Sequence, residues 1–242
     1  EELAKSLRRE LDLSREAAAT AKFRTIYEDD TRVETPGVIW SHTRDDVLTM
    51  TRVSGVPLTN IEAVDSVGVD RKSLAKTTAT VFLEQFFEHG VFHADPHPGN
   101  LMAVEGDRIG LLDYGAVGTV RDDIKPDMAA LLFSVTAHNM DLTASVYEEL
   151  GVVPPGNDRA DMVSDFEDLF RGYVGMPSNR MDMRRLFGEI LDITRRHHTR
   201  VPRELVVFLR ALVTAFNSVK TLDPEISVAD VIGPYTRDLL SR

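Results

Sequence analysis

The stretch VFHADPHPGNLMAVEGDRIGLLDYG at residues 91–115 constrains this chain more than any other segment. Residues 101–104 and 109–112 have the apolar character of short β-strands. The polar residues 105–108 between them include a glycine and have the composition of a turn. The segment therefore predicts a β-hairpin that follows a polar loop.

The polar residues on either side of this hairpin are expected to lie close together. A hairpin returns to the end at which it started, so Asp113 should finish close to Asn100. Asp95 lies in the preceding loop, which Pro96 and Pro98 stiffen. Three side chains that carry oxygen atoms would then converge on one spot.

This set of side chains suits phosphate chemistry assisted by a metal ion. Magnesium prefers hard oxygen ligands and usually shares the oxygens of substrate phosphates, so Asn100 and Asp113 could provide its protein ligands. Asp95 could orient or deprotonate an attacking hydroxyl group or water. With His93 and Gly115 the segment reads H-x-D-x-x-x-x-N followed by D-x-G, which is the pattern of phosphotransferases.

A purely structural interpretation has to be weighed against this one. Asp-Pro and Pro-Gly-Asn are common turn formers, and either half of the pattern alone would favour a structural turn. Both halves at this separation, with strand signals between them, favour a site. We expect His93 to pack and to bond the loop backbone, and assign no role to His97. His197 and His198 are not a metal motif, because adjacent helical residues face different directions.

The rest of the chain predicts a predominantly helical α+β protein. Residues 1–28 have helical spacing, with a bend near Asp12 and a restart capped by Ser14. Two strands are predicted at residues 38–40 and 47–50. The remaining helices are predicted at residues 70–89, 122–139, 141–150, 158–173, 181–198, 202–221 and 227–241.

Charge and composition exclude several classes of protein. The formal net charge of −11 argues against a nucleic-acid partner, because phosphate backbones require clustered Lys and Arg. The absence of cysteine excludes disulfides, thiolate nucleophiles and cysteine zinc sites. No run of 18 apolar residues and no signal peptide are present, which predicts a cytoplasmic protein. The chain begins at Glu1 inside a helical pattern, so we expect a fragment of a longer protein whose full-length form could associate with a membrane.

These motifs resemble the UbiB family of atypical protein-kinase-like proteins, also called the ADCK family. The resemblance covers nearly the whole chain, and its two loop motifs together are specific. The matching segments are HADPHPGN at 93–100, LLDYGAVG at 111–118, RRELDLSREAAATAKF at 8–23, VLTMTRVSGVPL at 47–58, VPRELVVFLRALV at 201–213 and LDPEI at 222–226.

The resemblance implies a protein-kinase-like fold, present here mostly as its C-terminal lobe. Residues 1–53 would be the remainder of the N-terminal lobe, and residues 54–242 the helical C-terminal lobe with the catalytic hairpin. It also implies ATP and Mg²⁺ as cofactors. Family members are linked to isoprenoid-quinone biosynthesis and lipid homeostasis, which suggests an isoprenoid lipid or quinone precursor as partner and contact with a membrane surface.

The resemblance further assigns residue roles. Glu10, in an E-x-D motif with Asp12, would pair with a lysine of the nucleotide lobe. Asp95 would be the catalytic-loop aspartate, and Asn100 and Asp113 the ligands of the metal and the nucleotide. The segment from Met50 to Val53 would form the hinge beside adenine.

Some family features are missing or altered. The nucleotide-binding lysine and the K-x-G-Q motif do not occur before Glu10, so the chain as given is expected to bind ATP poorly and not to turn it over. Thr51 replaces the acidic residue that commonly follows the hinge methionine. Ala94 stands where many protein kinases carry an arginine, and a helix predicted near Asp122 leaves little room for an activation segment. Both points disfavour a protein substrate.

Three functions remain open at this stage. The first is an ATP- and Mg²⁺-dependent kinase or ATPase of the UbiB type. The second is a small-molecule phosphotransferase of the aminoglycoside or choline kinase type, which shares a similar catalytic loop. The third is a non-catalytic module that binds lipid or serves as a scaffold.

Overall fold

The structure of the chain is a computed structural model that combines short strands with many helices. It describes residues 12–137, 139–150, 159–173, 180, 182–199, 201 and 203–241. Its strands are β1 (Val33–Glu34), β2 (Val56–Pro57), β3 (Val91–His93), β4 (Leu101–Val104), β5 (Arg108–Leu111) and β6 (Val117–Thr119). Its α-helices are α1 (Leu13–Ile26), α2 (Ile61–Ser66), α3 (Arg71–Glu84), α4 (Lys125–Thr136), α5 (Met140–Glu149), α6 (Arg159–Arg171), α7 (Met183–Arg196), α8 (Arg203–Leu222) and α9 (Val228–Ser241).

The predicted hairpin is confirmed and lies at the centre of a four-stranded sheet. The strand order is β1-β5-β4-β2, with β1 parallel to β5 and both other pairs antiparallel. Leu101 lies opposite Leu111 in the hairpin. Gly106 and Asp107 make the turn with φ of 83° and 56°, a left-handed conformation that glycine and aspartate tolerate better than most residues. A second sheet pairs β3 with β6.

Helix α1 starts two residues earlier than a cap at Ser14 would allow, so that prediction is wrong. Asp12 is the N-cap, and its carboxylate accepts a hydrogen bond from the backbone N–H of Ser14. Thr20 and Phe23 are fully buried on the face that packs against the core. Residues 1–11, where the first part of the predicted helix and Glu10 fall, lie outside the described residues.

The segment of residues 38–50 differs from its prediction. The two predicted strands are reduced to isolated bridges, Val38 with Met50 and Arg44 with Val47, and residues Trp40–His42 form a 3₁₀ turn. The reason is local, because the hydroxyl group of Thr43 accepts a bond from the Thr49 N–H at 3.2 Å and donates to a carbonyl oxygen four residues back. Such side-chain bonds compete with the strand ladder.

The helical predictions for the C-terminal half are confirmed within a few residues at each end. Helix α3 continues into a single π-helical turn, Gln85–His89, which ends at Gly90 with φ of 65°. Phe208 of α8 packs with its ring centroid 4.5 Å from that of Phe86, which ties α8 to this turn. Among the described helices, α8 alone has the length and apolar composition that a membrane span would need, and half of that stretch is buried in the core.

Candidate active site

A buried histidine organises the polar loop before the hairpin. His93 is fully buried, and its Nδ1 accepts a hydrogen bond from the backbone N–H of Asp95 at 3.2 Å. Its Nε2 lies 2.9 Å from the carbonyl oxygen of Leu112, so Nε2 carries the proton and donates it. Burial lowers the pKa of His93, which keeps the ring neutral. The predicted packing role of His93 is confirmed.

Asn100 makes hydrogen bonds both to the end of the hairpin and to the loop that precedes it. Its backbone carbonyl oxygen accepts a bond from the Leu112 N–H at 2.9 Å, which joins the start of the hairpin to its end as predicted. Its side-chain Nδ2 donates to the carbonyl oxygen of Asp95 at 3.1 Å. Because the amide nitrogen is used inside the loop, the side-chain oxygen is the atom left for a ligand. Asn100 as a whole residue is only 8% exposed, so it is buried at the base of the loop.

Asp113 leaves the hairpin in a strained backbone conformation with an exposed carboxylate. Its φ is 54°, a region that non-glycine residues seldom adopt and that is often found at functional sites. One carboxylate oxygen accepts a bond from the Gly115 N–H at 3.1 Å. The next side chain, Tyr114, is buried with its ring centroid 4.6 Å from that of Phe23. This aromatic contact anchors the D-Y-G turn beneath α1.

A carboxylate that the sequence did not single out faces this turn. Glu16 lies near Gly115, since a Cβ atom built there would be 3.9 Å from its Oε2. The pKa of Glu16 is raised, first by burial and then by the charge of Asp113. A signal was available in the sequence, because Glu16 shares a helical face with Thr20 and Phe23, both fully buried. The role predicted for Glu10 cannot be compared, as that residue lies outside the described part of the chain.

The proximity of Glu16 to Asp113 predicts a measurable effect on stability. Glu16→Gln should raise the free energy of unfolding at neutral pH by less than about 1 kcal/mol, because the carboxyl group is partly solvated. The folded state raises the pKa of Glu16, so the charged form is the destabilising one. The gain in the free energy of unfolding should therefore be present at pH values above the pKa that Glu16 has in the folded protein. It should shrink as the pH falls toward the ordinary pKa of glutamate. Thermal melts across this range would measure it, with the exposed Glu105→Gln as control.

Of the two residues predicted to belong to the hinge, Val53 packs against the hairpin, whereas Met50 pairs with an earlier segment. Met50 is half-buried and pairs with Val38. Val53 is 5% exposed and packs against Gly110, where a Cβ atom would be 2.9 Å from Val53 Cγ1. Its side chain therefore holds the segment around Val53 on the hairpin. The predicted adenine contact of these residues stays a prediction.

The donor atoms around the loop fit a shared metal site rather than a closed one. In the described part of the chain no three His, Asp or Glu side chains group closely enough to hold a metal ion by themselves. Asn100 and Asp113 offer hard oxygen atoms, and Asp113 makes no ion pair with a described lysine or arginine. Mg²⁺ commonly takes one or two protein oxygens and completes its shell with phosphate oxygens and water. The residues present fit that arrangement.

The fold and the site together define a protein of the kinase-like class. The defining parts are a short loop held by the hydrogen bonds of His93, a hairpin, and a D-x-G turn that packs under a helix. The sequence model of the ABC1 atypical kinase-like domain matches residues 1–147. That of the UbiB helical domain matches residues 166–227. The chain therefore belongs to the UbiB/ADCK family of atypical kinases, and the predicted resemblance and α+β kinase-like fold are confirmed.

Individual relatives agree with this family. The chain is 28% identical over 246 residues to a "Probable protein kinase UbiB" of Xylella fastidiosa, covering 99% of this chain and 44% of that protein. It is 27% identical over 271 residues to the Arabidopsis thaliana chloroplastic protein ACTIVITY OF BC1 COMPLEX KINASE 8, covering 99% of this chain and 36% of that protein. The chain thus spans less than half the length of these relatives.

A solved structure agrees with the fold. The complex of Rv3197 with erythromycin from Mycobacterium tuberculosis superposes with a TM-score of 0.66 and 21% sequence identity. The match covers 92% of this chain and 57% of that one. At this level of identity the likeness bears on the fold alone.

Proposed function

We propose that the intact protein is an ATP- and Mg²⁺-dependent enzyme, a kinase or ATPase of the UbiB type. The observation that carries this proposal is the junction between loop and hairpin. Leu112 donates its N–H to the carbonyl oxygen of Asn100 and accepts a bond from His93 Nε2, both at 2.9 Å. These two bonds hold the segments that bear Asp95, Asn100 and Asp113 at the same end of the hairpin.

Each of these residues has a proposed role. Asp95 is exposed at the loop surface, where its carboxylate can orient or deprotonate the attacking hydroxyl group or water. Asn100 and Asp113 would hold Mg²⁺ together with the phosphate oxygens of ATP. A bound Mg²⁺ neutralises charge that develops on the phosphates. The paired carboxylates of Glu16 and Asp113 create a negative potential that favours a cation at this position.

The path of the chain after the D-Y-G turn supports a non-peptide acceptor. Strand β6 starts at Val117 and pairs at once with β3, and α4 begins at Lys125. The backbone between Gly115 and Lys125 is thus occupied in the fold, and little of it is left to dock a peptide. We propose an isoprenoid lipid or quinone precursor as the partner, in support of quinone biosynthesis or lipid homeostasis, and contact of the full-length protein with a membrane surface. The division into lobes at residues 53 and 54 belongs to the same proposal.

The decisive test is nucleotide binding by the intact protein. ATP with Mg²⁺ should raise its melting temperature, and a concentration 100-fold above the dissociation constant should add about 2.7 kcal/mol to the free energy of unfolding. ATP with a chelator should give a much smaller shift, because the phosphates then lack the shared metal. An unchanged melting curve in ATP and Mg²⁺ would contradict the proposal. Phosphate release without an acceptor would indicate an ATPase, and labelled phosphate on a small hydroxylated compound a phosphotransferase.

A further inference from the structure

The side chain of His97, in the loop before the hairpin, is held in place by a hydrogen bond although it lies outside the hydrophobic core. His97 is exposed, and its Nδ1 accepts a hydrogen bond from the backbone N–H of Gly99 at 3.1 Å. A neutral ring that accepts at Nδ1 carries its proton on Nε2. Within the described residues Nε2 has no hydrogen-bond partner. The loop therefore presents a free N–H donor at its surface.

The ring of His97 is oriented by its surroundings. It lies over Gly99, where a Cβ atom would come 2.8 Å from its Cε1 and 3.0 Å from its Nδ1, so a side chain at this position would displace the ring. The prolines before and after His97 restrict the backbone, which is extended with φ of −74° and ψ of 158°. A residue whose ring and backbone are both fixed loses little entropy when it binds a ligand.

The backbone of His97 joins the two functional residues of the loop. Its N–H donates to the carbonyl oxygen of Asp95, and its carbonyl oxygen accepts a bond from the N–H of Asn100, both at 2.9 Å. His97 therefore lies between the proposed catalytic carboxylate and the proposed metal ligand. Asp95 makes no ion pair with a described lysine or arginine. A transferring phosphoryl group is stabilised by donors aimed at its oxygen atoms, and the Nε2–H of His97 is such a donor in this loop.

We propose that His97 is a catalytic residue whose Nε2–H donates a hydrogen bond to the terminal phosphoryl group of ATP, an inference that rests on the proposed function. In the reaction the bond between the γ-phosphorus and the bridging oxygen of ADP breaks. A new bond forms from phosphorus to the oxygen of water or of an acceptor hydroxyl, whose proton passes to Asp95. His97 gains and loses no proton, and stabilises the charge on the phosphoryl oxygens.

Two substitutions separate this role from a structural one. In His97→Asn the side-chain oxygen can still accept the Gly99 N–H, but the amide is too short to place a donor where Nε2 lies. In His97→Gln the longer side chain can reach the Nε2 position but loses the bond to Gly99. A residue that only stabilises the loop should therefore be rescued by Asn, and a residue that donates to phosphate by Gln.

The measurement is steady-state ATP turnover by the intact protein, with melting temperatures to confirm folding. We expect His97→Ala and His97→Asn to lower kcat at least about 10-fold and to change KM for ATP less than about threefold, because the lost bond acts mainly in the transition state. His97→Gln should recover part of kcat. His198→Asn is the matched control, since His198 is exposed and has a φ of 53° that asparagine tolerates.

The outcomes distinguish this inference from the proposed function. A protein that neither binds nor turns over ATP with Mg²⁺ overturns both. A wild type that turns over ATP, with a His97→Asn variant of unchanged kcat, overturns the role of His97 alone. Equal losses in the Ala, Asn and Gln variants also overturn it, because they would indicate a need for the imidazole ring in the loop rather than for a donor.

Discussion

Asp113→Asn is expected to lower the affinity of the intact protein for ATP with Mg²⁺ about 100-fold, which corresponds to about 2.7 kcal/mol. The carboxylate would supply one of the two protein ligands of the metal. An amide oxygen carries no charge, so its attraction for a divalent cation is much weaker. The stabilisation that ATP and Mg²⁺ confer in thermal melts should therefore be lost, and isothermal titration should show the same loss.

The fold should tolerate this change, so that loss of binding can be assigned to the site. Asparagine accepts the left-handed conformation of Asp113, and its side-chain oxygen can take the bond from the Gly115 N–H. It also removes the repulsion with Glu16, so the melting temperature without ligand should not fall. Asp107→Asn is the matched control, because Asp107 has φ of 56° and accepts a bond from the Asp70 N–H at 2.8 Å in a turn at the far end of the hairpin. Wild-type affinity in Asp113→Asn would contradict the assignment.

Gly118→Ala is expected to cause the largest loss of stability, about 3 kcal/mol. Gly118 lies opposite Phe92 in the pairing of β3 with β6. A Cβ atom there would come 2.1 Å from Cζ of Phe92, whose ring is 1% exposed and packs 4.5 Å from that of Phe86. The ring has no free space to move into, so the strands must separate and displace the nearby D-Y-G turn. Chemical denaturation would measure the change.

Two further variants test this mechanism. Gly188→Ala in α7 meets no atom within 4 Å and should stabilise the protein by roughly 0.5–1 kcal/mol, as alanine favours a helix interior over glycine. Adding Phe92→Leu to Gly118→Ala should recover part of the lost stability, because the smaller side chain leaves space for the new methyl group. If Gly118→Ala behaves like Gly188→Ala, the close contact with Phe92 is not a constraint on the fold.

Local patterns were sufficient for the elements that are determined by nearby residues. The hairpin followed from its turn composition and two apolar segments, and the long helices followed from spacing and from caps such as Asp70 and Gly90. The packing of His93 was also foreseen. By contrast, the strands at 38–50 were overpredicted, because the apolar residues were visible but the competing bonds of Thr43 were not.

The candidate site needed the three-dimensional fold for its second carboxylate. Glu16 and Asp113 are far apart in the sequence, and only the packing of α1 over Tyr114 brings the two together. Similarly, the contact of Val53 with Gly110 depends on how the segment around Val53 crosses the hairpin. The helical spacing of Glu16 with Thr20 and Phe23 could indicate that Glu16 borders a buried face, but no spacing shows which distant residue either side chain contacts. The roles of Asp95, Asn100 and Asp113 stay predictions for the experiments above.

The sequence by itself determined the family, the predominantly helical fold and the loop that joins Asn100 to the D-Y-G turn. These depend on residue types at short separations, where backbone geometry limits the outcome to a few alternatives. Only the tertiary structure decided that Glu16 faces Asp113 and that the His97 ring rests on Gly99, with no hydrogen bond to Nε2 from the described residues. Such placements result from the packing of distant segments, since close packing admits one arrangement among many that the sequence pattern leaves open.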